Sequence, residues 1–292
     1  MTLRWVPGWN GLTEPEAVSY VAAVEAADGE PLEFGVAKAI NDFVLGCKQD
    51  KIWDAIKACC ILAGARTLNG ALVPLVGAAP TNVGPFVSGD YNRETGLKGG
   101  GSGSGKILDT NYTNDATPQN SNHNVLWVSS ADDTGTGVLY LDSGDITAGD
   151  NGFGRSSTVS NLFSRNRGAA SAAIITGAGA STGFLGSNRS NAGNYEFRYG
   201  GSNVTVTASS STPTSTNILL FGRGPSTFVT NARLAFYSIG ESLDLAKLDT
   251  RVTRLMNLIT YTQTAGLPDL SVMDMDAAAY IGGAYRAGGT LS

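Results

Sequence analysis

Glycoside hydrolysis needs two carboxylates flanking the sugar, one protonated and one ionised. Between Glu94 and Glu241 the chain holds one glutamate, Glu196, set between Tyr195 and Phe197 with no acid two to four residues away. The spacing predicts no glycosidase. The single histidine, His123, stands in Asn120-Ser121-Asn122-His123-Asn124 at the start of an apolar run. With no second histidine and no cysteine beside it, neither a zinc set nor a catalytic triad can be assembled around it. A packed, hydrogen-bonded structural histidine is expected. Cys47, Cys59 and Cys60 sit in apolar surroundings far from His123 and are expected to be reduced, buried thiols.

Two further patterns invite chemistry. Gly99-Gly100-Gly101-Ser102-Gly103-Ser104-Gly105-Lys106 is glycine-rich and ends in lysine, yet Ile107 follows where a phosphate loop needs Ser or Thr, so a flexible turn is expected. Asp132, Asp133, Asp142, Asp145 and Asp150 could supply oxygen ligands to calcium at the rim of a β domain; solvated loop acids are the competing reading. No cofactor is expected. Sugars are also bound without chemistry, by stacking on aromatic rings and by hydrogen bonds from polar loops. Tyr91, Tyr112, Tyr195 and Tyr199 are the candidates for that, while Trp127 and Tyr140 lie within apolar runs and read as core. Trp5, Trp9, Tyr20 and Tyr280 are the candidates for assembly contacts.

The elements that must position these residues follow from an uneven composition. The 292 residues include 38 glycines but only 15% charged residues, which excludes a long coiled coil or helical bundle, because each interior glycine costs a helix about 1 kcal/mol. A net charge of −5 without clustered Lys and Arg argues against nucleic acid as a partner. The N-terminus lacks an apolar run with a small-residue cleavage site, and no eighteen apolar residues run together, so neither Sec export nor a membrane span is expected. No lysine occurs between Lys106 and Lys247. Ser, Thr, Asn and Gly replace the helix-forming charged residues there. The chain therefore reads as helical, then all-β, then helical: an α+β fold with a small helical module followed by an antiparallel β-sandwich, or jelly roll, and a closing helix.

In the first zone, residues 1–80, Thr13-Glu14-Pro15-Glu16 has the form of a capping box. Val18, Val21, Ala22 and Val24 then form one stripe, ended by Gly29; Val36, Ala39, Ile40, Phe43, Val44 and Cys47 form a second; Ile52, Trp53, Ile56, Cys59, Cys60 and Ala63 form a third, after an Asp50 cap. Three short helices are expected, too small a module to be stable alone. Across residues 84–265, strands are expected at 124–129, 137–142, 172–176, 194–199, 203–207, 217–221 and 232–239, with Tyr199-Gly200-Gly201-Ser202 as a hairpin turn. Leu245, Leu248, Val252, Leu255 and Ile259 share one face of a helix over 243–260, packed on the sandwich and stopped by Gly266 and Pro268. The last segment, 266–292, echoes residues 16–32. Asp276-Ala277-Ala278-Ala279-Tyr280-Ile281 aligns without a gap on Glu16-Ala17-Val18-Ser19-Tyr20-Val21, as does Ala287-Gly288-Gly289 on Ala27-Asp28-Gly29. The echo reads either as a truncated second copy of the opening helix or as chance similarity between Ala-rich segments.

Several stretches resemble a known family. Ala39-Ile40-Asn41-Asp42-Phe43-Val44-Leu45-Gly46-Cys47-Lys48, Ile52-Trp53-Asp54-Ala55-Ile56-Lys57 and Ile61 through Leu75 resemble a module of tailed-bacteriophage structural proteins, cyanophages among them. Asp90-Tyr91-Asn92-Arg93-Glu94-Thr95-Gly96-Leu97-Lys98-Gly99 with Leu108-Asp109-Thr110-Asn111 resembles the opening of a laminin-G-like, concanavalin A-type jelly roll. Arg233 through Gly240, leading into Leu243 through Val252, resembles its closing strand and helix. The resemblance implies a non-enzymatic virion component carrying a lectin-like domain: a tail fibre, baseplate appendage or capsid decoration. Its implied partners are other virion proteins, copies of itself and a host-surface glycan. It carries over no ligand residue and no calcium site. A free carbohydrate-binding lectin is the alternative.

Overall fold

The structure, a computed structural model, describes residues 11–101, 103–133, 137–144, 148–158, 160–168, 173–224 and 227–264. Helices α1 (Pro15–Asp28) and α2 (Phe34–Gln49) open the chain, and a single turn, α3 (Leu68–Ala71), follows strand β1 (Ile56–Ile61). Next come β2 (Pro74–Val76), β3 (Thr81–Val83), β4 (Tyr91–Asn92), β5 (Gly96–Lys98), β6 (Ile107–Thr113), β7 (Asn122–Ser130), β8 (Val138–Asp142) and β9 (Asn151–Arg155). β10 (Leu162–Asn166), β11 (Ala173–Ile175), β12 (Gly183–Arg189), β13 (Asn194–Tyr199), β14 (Ser202–Thr207), β15 (Asn217–Leu220) and β16 (Arg233–Gly240) complete the strands, and α4 (Leu245–Thr264) follows.

The strands form two antiparallel sheets. One runs β14-β13-β12-β7-β16-β1-β2, with β5 also on β16 and β4 on β5; the other runs β11-β10-β9-β8-β15-β6-β3. The first is the central layer of three. Its alternate residues face two separate cores. Cys59, Ile61, Val125, Phe184 and Phe236 join α1, α2 and α4 in one apolar cluster. Cys60, Leu126, Leu185, Leu234 and Tyr237 join Phe153, Leu162 and Leu220 of the outer sheet in the other.

This layering corrects the expected third helix. Ile56-Lys57-Ala58-Cys59-Cys60-Ile61 is a strand, β1, paired with β16 along most of its length. A short run that is apolar at nearly every position fits a helix stripe and a strand buried on both faces equally well. Here the strand wins because Cys59 and Cys60, being adjacent, can serve both cores at once. All three cysteines are free and buried, as expected.

The capping box is also corrected. Glu14, not Thr13, is the N-cap of α1, and it makes no side-chain capping bond. The orphan amides of Thr13 and Glu14 instead donate to Oδ1 of Asn41, at 2.7 and 3.0 Å, from a buried position on α2. Lys48 of α2 meets Glu14 at 2.8 Å and Glu16 at 2.6 Å, and Asp50 binds Arg251 of α4 at 2.7 Å. The stripe on α4 holds: Leu245, Leu248, Val252, Leu255 and Ile259 are all buried against α2 and the central sheet.

The seven expected strand segments all carry strands. Gly200 and Gly201 have φ of +53° and +77°, the two left-handed positions of a two-residue hairpin. Strands β9 and β12 were not anticipated, because Asn151-Gly-Phe-Gly-Arg and Gly183-Phe-Leu-Gly-Ser-Asn-Arg lack β-branched residues. Trp5, Trp9, Gly266, Pro268, Tyr280 and the 266–292 echo lie outside the described residues. Among those described, no helix is long and apolar enough to cross a membrane.

Candidate functional site

The four candidate tyrosines are not brought together. Tyr195 is 2% exposed on β13; its hydroxyl donates to the Ser164 carbonyl at 2.7 Å, and burial pushes its pKa up to about 12. Tyr91 donates to the Ala65 carbonyl at 2.7 Å while its ring packs on both cores, and burial raises its pKa. Tyr112 and Tyr199 lean on the core between the sheets with part of each ring exposed. A buried ring with an engaged hydroxyl cannot stack on a sugar, which corrects the expectation for Tyr195; Tyr91 is half-buried with its hydroxyl engaged. Tyr20, offered for assembly, is 5% exposed and faces the helix-side core of its own chain.

His123 is fully buried, with Nδ1 2.6 Å from the Glu241 carbonyl and Nε2 2.8 Å from Ser238 Oγ. Burial lowers its pKa to about 4, so it is neutral and structural. Glu196, on the edge hairpin of the central sheet, accepts from Asn203 Nδ2 at 3.0 Å. The Gly99–Lys106 turn leads into strand β6, not a helix, and Lys106 binds Asp90 at 2.5 Å. Of the acids considered for calcium, Asp132 accepts from Thr230 Oγ1 and the Asn231 amide, Asp133 from Asn231 Nδ2, Asp142 from Arg223, and Asp150 from Thr214 Oγ1. Asp145 lies outside the described residues. Among the described residues no three His, Cys, Asp or Glu side chains converge as a metal set.

The lysine-free zone holds the two most deeply buried cations of the described residues. Its basic residues are all arginine, and two of them are completely buried. Arg167 donates to Asn114 Oδ1 at 3.1 Å, to the Thr117 and Pro118 carbonyls at 3.2 and 2.6 Å, to Thr117 Oγ1 at 2.8 Å and to the Asn114 carbonyl. Arg189 donates to the carbonyls of Asn166, Asn191, Asn194 and Ala208 at 2.9 to 3.1 Å. A planar fork with five donors can collect loop carbonyls from several directions; an ammonium cannot. Burial lowers the Arg167 pKa to about 10, but the carbonyl cage keeps the charged form well supplied with acceptors.

The concave site lies on the outer sheet, on the face turned away from the central sheet. Inward-facing Phe153, Leu162 and Ser164 are buried, so their neighbours Gly152, Gly154, Phe163 and Arg165 face outward. A Cβ on Gly154 would stand 2.2 Å from the Val138 carbonyl, and one on Gly152 would stand 3.0 Å from Asp142 Oδ1. With both side chains missing, β9 becomes the floor of a trough between β8 and β10. The trough is a cleft of about 240 Å³ lined by Leu139, Asp142, Asn151, Phe163, Arg165 and Arg223, with Phe228 at the rim.

Its wall is the segment after β15. Arg223 grips Asp142 through Nε to Oδ2 at 2.8 Å and Nη2 to Oδ1 at 3.2 Å, and its guanidinium lies 5.1 Å from the centre of the Phe228 ring. The Leu139 amide donates to the Phe228 carbonyl at 2.8 Å. Phe228 has φ of +56°, a conformation that costs a bulky residue about 1–3 kcal/mol, and its ring is 43% exposed. Burial raises the Asp142 pKa, with Arg223 pulling against it; burial lowers that of Arg165, with Asp150 and Asp142 opposing. The result is an aromatic ring beside a floor that carries the paired charges of Asp142 and Arg223 and the buried Arg165. Sequence reasoning found Asp142 and Asp150 but missed Phe163, Arg165, Arg223 and Phe228. Alternation in Leu162-Phe163-Ser164-Arg165 is the signal that could have found two of them.

No protein-family model matches the chain, and no curated protein sequence does. Solved structures give distant likenesses. A Trypanosoma rangeli sialidase mutant displaying trans-sialidase activity aligns at 12% identity and a TM-score of 0.47, over 76% of this chain and 39% of that one. The botulinum neurotoxin serotype D binding domain aligns at 14% identity and a TM-score of 0.46, over 69% and 50%. The Trypanosoma rangeli sialidase in complex with sialic acid aligns at 13% identity and a TM-score of 0.48, over 70% and 33%. The chain spans half or less of the length of each, and likenesses this distant carry no argument about what it binds.

Proposed function

We propose that the outer-sheet cleft binds a glycan without transforming it, and that the chain is a lectin-like structural component of a phage virion. The cleft carries the binding part of this reading. The Phe228 ring offers a platform for the C–H face of a pyranose, and Asp142, Arg165 and Arg223 offer acceptors and donors for its hydroxyls. Few polar groups in fixed positions around an apolar surface is the arrangement expected of a small-ligand site. A binding role is favoured over hydrolysis because Asp142 is clamped by Arg223, Asp150 accepts from Thr214 and Glu196 belongs to the other sheet, so among the described residues no two unengaged carboxylates face each other across the cleft.

The virion part is supported by the resemblance of residues 39–75, 90–111 and 233–252 to phage structural proteins and to a laminin-G-like jelly roll. Copies of this chain and other virion proteins are its partners on that reading, and the particle its location. A glycan array probed with the full chain and with Phe228→Ala tests the binding. The expected result is a defined set of glycans bound by the parent and lost in the variant at unchanged melting temperature. No glycan bound by the parent, or an identical profile in the variant, overturns it.

A further inference from the structure

The central sheet ends on an edge that nothing among the described residues covers. Sheets protect their edges by shortness, by proline, by charge or by bulges, because unpaired N–H and C=O groups invite another strand. Among the described residues, four of the five edges follow that rule: β2, β3 and β11 are each three residues long, β4 is two, and β2 begins with Pro74. The fifth, β14, has six residues and reads Ser-Asn-Val-Thr-Val-Thr, without charge, proline or bulge.

The hairpin register shows which groups are free. β13 and β14 pair from Tyr199 opposite Ser202 to Asn194 opposite Thr207, and the Ala208 amide continues the ladder to the Gly193 carbonyl at 3.1 Å. Bonded and non-bonded pairs alternate along an antiparallel ladder. Counting from the bonded 193–208 pair, Val206, Val204 and Ser202 bond to β13, and Asn203, Thr205 and Thr207 turn their amides and carbonyls outward.

We infer that β14 is a dimerisation edge, on which a second copy of this chain adds its own β14 antiparallel about a two-fold axis through Thr205. In that register Thr205 faces Thr205 of the second copy and Asn203 faces Thr207 in both directions, so all the outward groups pair. Thr–Thr is a favourable cross-strand pair, and the half-buried Val204 and Val206 meet on the opposite face. Among the described residues, β14 brings no charged side chain to the approach. Glu196 is bonded by Asn203, and Arg198 binds Asp249 at 2.8 Å and Asn203 at 2.8 Å. An edge with free groups at both ends and the middle, uncharged and symmetric about its own centre, fits its own copy better than an unrelated strand.

The test is light scattering of the full chain over a concentration series, beside Thr205→Pro and Thr205→Cys. Proline at 205 removes no bond to β13, because that amide points outward, but it takes a donor from the dimer edge and blocks approach. The expected mass is twice 30.2 kDa for the parent and 30.2 kDa for Thr205→Pro, with the circular dichroism of the folded chain unchanged. Thr205→Cys is expected to form a disulfide-linked dimer on mild oxidation, since paired residues at the axis stand about 5.5 Å apart. If Thr205→Pro misfolds, the cysteine variant decides alone. A parent that stays monomeric, a dimer that folded Thr205→Pro leaves intact, a cysteine variant that does not cross-link, or a dimer lost only when residues 265–292 are deleted would each overturn the inference.

Discussion

The two sheets are built from similar strands and do different work. The central sheet is covered on both faces, by α1, α2 and α4 on one side and by the outer sheet on the other, and its polar side chains at the sheet end are locked: His123 between Glu241 and Ser238, Asn122 on Asn166 at 3.0 Å. The outer sheet shares one of those cores but carries no helix on its other face among the described residues. There Asp142, Arg165 and two glycines stand beside Leu139 and Phe163, at positions that would be apolar on a covered sheet. A sheet that need not bury its outer face can keep charges paired and partly open to a ligand. Helices are thus what separates the structural layer from the layer available for recognition.

The comparison can be broken most forcefully in the covered layer. Phe236 is fully buried at the helix-side core, its ring 5.7 Å from that of Phe43 in an edge arrangement. Phe236→Ala is expected to cost about 3–5 kcal/mol, read as a lower denaturation midpoint, with glycan affinity unchanged in whatever fraction stays folded.

His123 predicts a pH signature of the same layer. Its folded pKa of about 4 lies below the value near 6.5 of an unfolded histidine. Above pH 6.5 both states are neutral and it has no effect. As pH falls from 6.5 to 4 the unfolded state takes up a proton that the folded state does not, so stability falls, by up to about 3 kcal/mol, and then levels off. Denaturant titrations across that window should show this slope in the parent and a shallower one in His123→Gln.

The outer layer's loops give the next effect. Arg167→Lys keeps the charge but strands carbonyls of Asn114, Thr117 and Pro118, and is expected to cost about 2 kcal/mol by the same measurement. The smallest stability change belongs to the cleft. Phe228→Ala should lie within about 0.5 kcal/mol of the parent, because the residue is 43% exposed and outside both cores, yet weaken glycan binding by about tenfold, a dissociation in calorimetric titration that no core variant shows.

How much of this was legible beforehand differs between the layers for a physical reason. Period-3.6 stripes on α2 and α4 and period-2 runs such as Asn203 to Thr207 are local, and the elements they imply are the ones the structure contains. Ile56 to Ile61 fits a helix as well as a strand in the sequence because continuous apolarity carries no period; only the sheet that receives β1 decides it. Strand β9 was invisible because the two glycines that make it a cleft floor also erase its strand signal. Phe228 and Arg223 sit in a segment with no regular pattern, brought to Asp142 by the sheet order that places β15 beside β8. Tyrosines were favoured for sugar stacking by residue type alone, and residue type says nothing of which face a ring is turned to.

The asymmetry of the two sheets is tested most directly by hydrogen–deuterium exchange of the full chain with and without a glycan identified on the array. Protection on binding should be confined to residues 137–144, 151–157, 162–166 and 221–230, with strands β1, β7, β12 and β16 unchanged. Protection centred on Tyr112 and Tyr199, or spread over the helices and the central sheet with the cleft unaffected, would contradict the account.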